Sequence, residues 1–143
     1  MEPILHLSIP VRDLDAARAF YVDALGCEAG QHIGTHAIDV WFFGLQLTLQ
    51  ERPAEVAPDD APGVRHFGVT LDRAALDALL ARLGDHEVRW ISPVETDTSG
   101  RLRGKTSAKL ADPSGNVIEL KSYDDPRDAL GISAPSGARE PSR

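Results

Sequence analysis

HLSIPVRDLDAARAFYVDALG runs from His6 to Gly26, and HFGVTLDRAALDALLARLG runs from His66 to Gly84. Each stretch opens on a histidine in an apolar, strand-like run and passes through an aspartate. Each then becomes an Ala/Leu-rich helical pattern and stops at Leu-Gly. Self-similarity of this kind means that two copies of one unit build the fold. It also places an imidazole at the head of both copies.

Working outward from the first copy, residues 4–9 read as a strand with Leu5, Leu7 and Ile9 on one face and His6 and Ser8 on the other. Asp13 is placed to cap the following helix, whose apolar stripe is Ala16, Ala17, Phe20, Tyr21, Ala24 and Leu25, with Gly26 at its C-terminal end. Strands are expected near 27–33, 36–43 and 45–50, the last alternating Leu45, Leu47 and Leu49 with Gln46, Thr48 and Gln50. The second copy follows the same plan. A strand spans 64–71, Asp72 caps a helix through Ala75, Leu76, Leu79, Leu80 and Leu83, and strands follow near 86–91, 102–110 and 116–122. The turn before the last strand is Asp112-Pro113-Ser114-Gly115.

The predicted fold is therefore α+β, with two βαβββ modules related by a pseudo-two-fold axis and their sheets forming a trough. One domain covers 1–123: module one at 1–52, a Pro- and acid-rich linker at 53–63, and module two at 64–123. Residues 124–143 form a tail, expected to be mobile beyond about residue 132. A sixty-residue unit is too small to bury both faces of its own sheet, so the two units must pack together.

Composition narrows the function. A net charge of −7 and a pI near 5.1 argue against nucleic acid and anionic membranes as partners. No apolar run approaches the length of a membrane span, and MEPILHL lacks the charged start and apolar core of a signal peptide. A cytoplasmic location is expected. Cys27, the single cysteine, leaves no internal disulfide or CxxC site and reads as a packing residue.

Near the end of each module lies a strand with a polar centre, Leu45-Gln46-Leu47 in one and Ile118-Glu119-Leu120 in the other. In symmetric modules His6, Gln46, His66 and Glu119 would converge. Two imidazoles and a carboxylate on a rigid sheet make a divalent metal site with open positions. Gln46 is either a fourth, weaker oxygen ligand or a hydrogen-bonder behind the ligands. Second candidates surround this set. Lys109, His36 and Tyr123, with His32 behind them, are the groups able to move a proton. Trp41, Phe43, Phe42 and Trp90 could stack on a planar ligand. Arg101, Arg103, Lys105, Ser107 and Lys109 alternate along RLRGKTSAK and suggest an anionic substrate group, or else the charged face of an edge strand.

Residues 4–123 resemble the vicinal oxygen chelate superfamily, which includes glyoxalase I, extradiol catechol dioxygenases, and fosfomycin and bleomycin resistance proteins. The resemblance rests on His6–Gly26, WFFGLQ at 41–46, RHFGV at 65–69 and DPSGNVIEL at 112–120. Within the superfamily the chain is most similar to small extradiol-type dioxygenases. The resemblance implies metal ligation by His6, His66 and Glu119, with Gln46 on a strand that often supplies a further ligand. It implies Fe(II) foremost, with Ni, Zn, Co or Mn as other occupants, and a small substrate chelated through vicinal oxygens. It also implies a homodimer. The expected activity is that of a dioxygenase, with a glyoxalase-like isomerase or lyase and a non-catalytic small-molecule binder as the other two readings.

Overall fold

The first strand, β1 (Leu5–Val11), ends two residues before Asp13, whose Oδ1 accepts the Ala16 N–H at 2.6 Å and so starts the first helix. In this computed structural model, residues 3–58, 64–100 and 102–125 are described. The first helix, α1, is α-helical over Leu14–Arg18 and π-helical over Ala19–Ala24. The widened turn follows from the sequence spacing. Apolar pairs at Phe20–Tyr21 and Ala24–Leu25 all need the core, and an i→i+5 bond from Leu25 N–H to Phe20 C=O at 2.9 Å lets them share one face. Gly26 leaves the helix at φ +75°, where a side chain would be strained.

Strands β2 (Glu28–Ile33), β3 (Ala37–Phe42) and β4 (Leu45–Glu51) complete a sheet ordered β1-β4-β3-β2, in which β1 and β4 run parallel. The second half repeats the design with β5 (Phe67–Thr70), α2 (Arg73–Leu83), β6 (Arg89–Thr96), β7 (Lys105–Ala111) and β8 (Val117–Tyr123), ordered β5-β8-β7-β6. Asp72 caps α2 through the Ala75 N–H at 2.7 Å. The fold is thus two four-stranded βαβββ sheets, as the repeat predicts.

Three local expectations are corrected. The strand expected over 64–71 is only Phe67–Thr70, so His66 precedes it. Parallel register sets Phe67 against Ile118, and β8 begins one residue earlier at Val117, which leaves little strand for His66 to pair with. The sixth strand starts at Arg89 rather than 86 and continues through Pro93, tolerated because β6 is an edge strand with two register shifts. Leu5 does not join the inner stripe of β1 but stays 72% exposed at the start of an edge strand, while Ile9 and Val11 are buried. Arg101, residues 59–63 of the linker and the tail from 126 lie outside the described residues.

The apolar faces of both sheets and both helices enter one core, with Val40, Leu47 and Leu49 from the first half and Leu76, Leu110 and Leu120 from the second. Each such buried aliphatic contributes about 1.5–3 kcal/mol. Polar bonds pin the halves together. The Tyr21 hydroxyl donates to Asp112 Oδ2 at 2.9 Å, the Arg12 N–H to Ser114 Oγ at 2.8 Å, and Asn116 Nδ2 to the Pro10 carbonyl at 3.0 Å. Arg82, in the last turn of α2, donates to the Asp23 and Ala24 carbonyls and so satisfies the end of α1. The polar face of each sheet is consequently the one turned away from the shared core. Among the described residues, no helix is long and apolar enough to cross a membrane.

Candidate metal centre

Ladder register defines a row of side chains across each polar face. In the N-terminal sheet His6 pairs with Gln46, Gln46 with Trp41, and Trp41 with Glu28. In the C-terminal sheet Gly68 pairs with Glu119, Glu119 with Lys109, and Lys109 with Ser92. The rows show that two equivalences suggested by the repeat do not both hold. If Gln46 corresponds to Glu119, the counterpart of His6 is Gly68, and His66 stands two residues ahead of it.

His66 nevertheless reaches the carboxylate. Its Nε2 lies 3.2 Å from Glu119 Oε2, and its Nδ1 lies 2.7 Å from the Val64 carbonyl. A carbonyl only accepts, so Nδ1 carries a proton and donates to it, and Nε2 is the nitrogen turned to the carboxylate oxygen. Two acceptors that close require a proton or a cation between them. Ligand atoms each about 2.1 Å from one ion stand about 3.0 Å apart at a right angle and about 3.4 Å apart at the tetrahedral angle. The observed 3.2 Å lies between these values. The Glu119 side chain is only 13% exposed, so its charge needs a partner, and Lys121 Nζ at 3.7 Å supplies part of one. Gly68 allows this approach, because a Cβ there would overlap the Glu119 carbonyl oxygen.

Gln46 is oriented from behind. Its Nε2 donates to Asp39 Oδ2 at 2.9 Å, and the Thr48 hydroxyl donates to Asp39 Oδ1 at 2.6 Å. With the amide nitrogen so engaged, Oε1 is the end left for a ligand, and among the described residues no donor reaches it. His6, beside Gln46, is exposed on the edge strand, and its imidazole has no hydrogen-bond partner among the described residues.

The remaining candidates divide by position. Trp41 flanks Gln46 and is 38% exposed. Phe43, at φ +49°, packs edge-on against Phe42 at 4.9 Å and is also exposed. Lys109 faces Glu119, Ser107 faces Lys121, and Tyr123 faces Lys105, four residues along β8 from Glu119. Arg103 is exposed in the turn before β7. His36 is not brought to this region. It sits at the other end of β3, with Nδ1 3.5 Å from Glu51 Oε1, and its backbone carbonyl accepts the Glu51 N–H. His32 is exposed on the edge strand β2. Burial pushes the Cys27 thiol up to about 12, so it stays protonated at neutral pH, as a packing residue should. Sequence reasoning missed Asp39, legible only as a polar residue in phase with Gln46, and the Val64 carbonyl, which no side-chain pattern announces. Among the described residues no three His, Cys, Asp or Glu side chains gather in one group. The His66–Glu119 pair and the His6–Gln46 pair lie on different sheets.

Residues 3–120 match the family described as the Glyoxalase/Bleomycin resistance protein/Dioxygenase superfamily. The chain is similar to the solved glyoxalase/bleomycin resistance protein/dioxygenase from Alicyclobacillus acidocaldarius, at 31% identity and a TM-score of 0.79 over 88% of this chain and 95% of that one. It shares its fold with a mutant of the genomically encoded fosfomycin resistance protein FosX from Listeria monocytogenes, determined with Mn(II) and 1S,2S-dihydroxypropylphosphonic acid. Identity there is 17% and the TM-score 0.69, over 91% and 96% of the two chains. It likewise shares its fold with lactoylglutathione lyase from Agrobacterium tumefaciens, at 24% identity and a TM-score of 0.59 over 85% and 94%. No curated protein matches the chain.

Proposed function

Because the chain belongs to the glyoxalase/bleomycin resistance/dioxygenase (vicinal oxygen chelate) superfamily, we propose that it is a metal-dependent enzyme acting on a small molecule with two adjacent oxygens. Within that class we assign it as an Fe(II) extradiol-like dioxygenase. The observation that carries this reading is the His66–Glu119 pair, whose orientation and spacing suit a shared cation. Two imidazoles, one carboxylate and a neutral amide in place of a second carboxylate make a set that suits iron with open positions.

The third ligand, His6, comes from a second copy of the chain. The polar faces of the two sheets turn away from the shared core, so the His6–Gln46 row of one copy meets the His66–Glu119 pair of another. Apolar side chains left at the starts of the two edge strands, Ile4 and Leu5 by β1 and Val64 by β5, support this pairing. A divalent ion bound there would supply Lewis-acid charge to the substrate's adjacent oxygens. The chain's own residues do the rest. The Val64 carbonyl orients the His66 ring, Asp39 aims Gln46, and Trp41 and Phe43 offer apolar walls for a planar substrate. Lys109 and Tyr123 are the candidate proton carriers on the Glu119 face.

Elemental analysis of anaerobically purified protein tests the site. About one ion per chain is expected, and His66→Ala or Glu119→Ala should weaken metal binding by about 100-fold or more. Metal content unaltered in both variants would sink the reading. Oxygen uptake by the iron-loaded protein with a catechol panel tests the reaction. The outward Gln46 oxygen, completing a four-donor set, favours one second reading, a glyoxalase-like lyase or isomerase. Turnover of a hemithioacetal with nickel, and no oxygen uptake with iron, would select it.

A further inference from the structure

The open face of the C-terminal sheet carries charge opposite to that of the whole molecule. The chain has a net charge of −7, yet β7 and β8 set Lys105, Lys109 and Lys121 on one face with Glu119 their single acidic neighbour in those two strands. Lys105 Nζ is drawn toward Asp97 at 3.8 Å and Lys121 Nζ toward Glu119 at 3.7 Å. Lys109, directly across from Glu119 and half-buried, makes no ion pair among the described residues.

Edge protection does not account for these lysines. β7 and β8 are the two central strands, flanked by β6 and β5, so their backbones are paired on both sides. Nor is the cluster neutralised locally. Glu119 is one carboxylate set against two ammonium groups, Lys109 directly across from it and Lys121 at 3.7 Å, and Ser107 stands directly opposite Lys121. We propose that Lys109, Lys121 and Ser107 bind an oxyanion substituent of the substrate, a carboxylate or a phosphate or phosphonate group. The assignment rests on the proposed metal site only in taking Glu119 to mark where substrate lies. It makes Lys109 a specificity determinant for an acidic substrate.

The test uses the metal-free full-length protein at low ionic strength, titrated with inorganic phosphate and, separately, with benzoate. Amide NMR shifts over residues 105–123 are followed. Saturable shifts centred on Lys109 and Lys121 are expected with at least one probe, and the tighter probe tells a tetrahedral anion from a planar one. Lys109→Met should weaken that binding by about tenfold or more, whereas Lys109→Arg retains it. Mn(II) affinity, read by EPR, should be the same in Lys109→Met as in the parent. Absence of saturable shifts with both probes, or parental affinity in Lys109→Met, overturns the proposal and leaves the metal site standing. Loss of Mn(II) binding from the parent protein, with anion binding intact, would instead remove the metal reading.

Discussion

His66 is positioned by two backbone atoms. The Val64 carbonyl accepts a hydrogen bond from Nδ1, and the bare Cα of Gly68 lets β5 lie against β8 where Glu119 sits. Gly68→Ala is therefore the most telling small change near the site. Its methyl would meet the Glu119 carbonyl oxygen, so β5 must shift, carrying His66 with it. A loss of about 1–3 kcal/mol in unfolding free energy is expected from the overpacking, with metal affinity falling by about tenfold or more. Denaturant titration and metal titration together check this, and unaltered metal affinity would mean His66 is not held through β5. Asp39 makes a separate case. It binds both Gln46 Nε2 and the Thr48 hydroxyl, yet it is only half-buried, so Asp39→Ala should spare the fold while releasing Gln46. Metal affinity should fall by about tenfold if Gln46 is a ligand, and stay as it was if Gln46 is a bystander.

At the level of elements, the turn between β7 and β8 does more than reverse the chain. Asp112 is 3% exposed and gathers the Ser114 and Asn116 N–H groups, the Asn116 side-chain amide and the Tyr21 hydroxyl. Burial raises its carboxyl above the usual range, and the bonds from Asn116, Tyr21 and Ser114 offset this only in part. Burial, then the Asp112 charge, likewise push the Tyr21 hydroxyl up. An acid whose pKa is raised on folding binds its proton more tightly in the native state. Its stabilising contribution is full below the unfolded value of about 3.9 and is lost as pH rises through the folded value. Wild type should thus lose stability relative to Asp112→Asn as pH rises across the acidic range and then level off. A gain of wild type over Asp112→Asn as pH rises, read by urea unfolding, would show that the hydrogen bonds outweigh burial.

The same scale shows what could be read beforehand. Caps at Asp13 and Asp72, period-2 strands and the polar centres at Gln46 and Glu119 are local patterns, and each was legible. The π-helical turn, the late start of β5 and the latch between Tyr21 and Asp112 were not. They arise from packing between residues as many as 91 positions apart, which leaves no periodic trace.

For the whole molecule the consequence lies in which faces the core consumes. Both helices and the apolar sides of both sheets are spent on holding the two halves together. The polar faces are left pointing outward, and among the described residues the repeat that brings two histidines into one chain does not bring them to one ion. The proposed second copy, related by a two-fold axis, would resolve this by giving two equivalent sites that each draw on both chains. Subunit mixing tests it directly. His6→Ala and Glu119→Ala chains should each bind metal poorly alone. In a hybrid dimer one site pairs the intact His6 and Gln46 of the Glu119→Ala chain with the intact His66 and Glu119 of the His6→Ala chain, while the other site loses both. Random exchange of equal amounts makes about half the dimers hybrid, so about one quarter of wild-type metal binding should return. Native mass spectrometry confirms that exchange has occurred. Hybrids that form yet bind no more metal than their parents would place the whole site within a single chain. The halves would then have to fold over one another by a rearrangement that breaks the Tyr21–Asp112 and Arg82–Asp23 bonds.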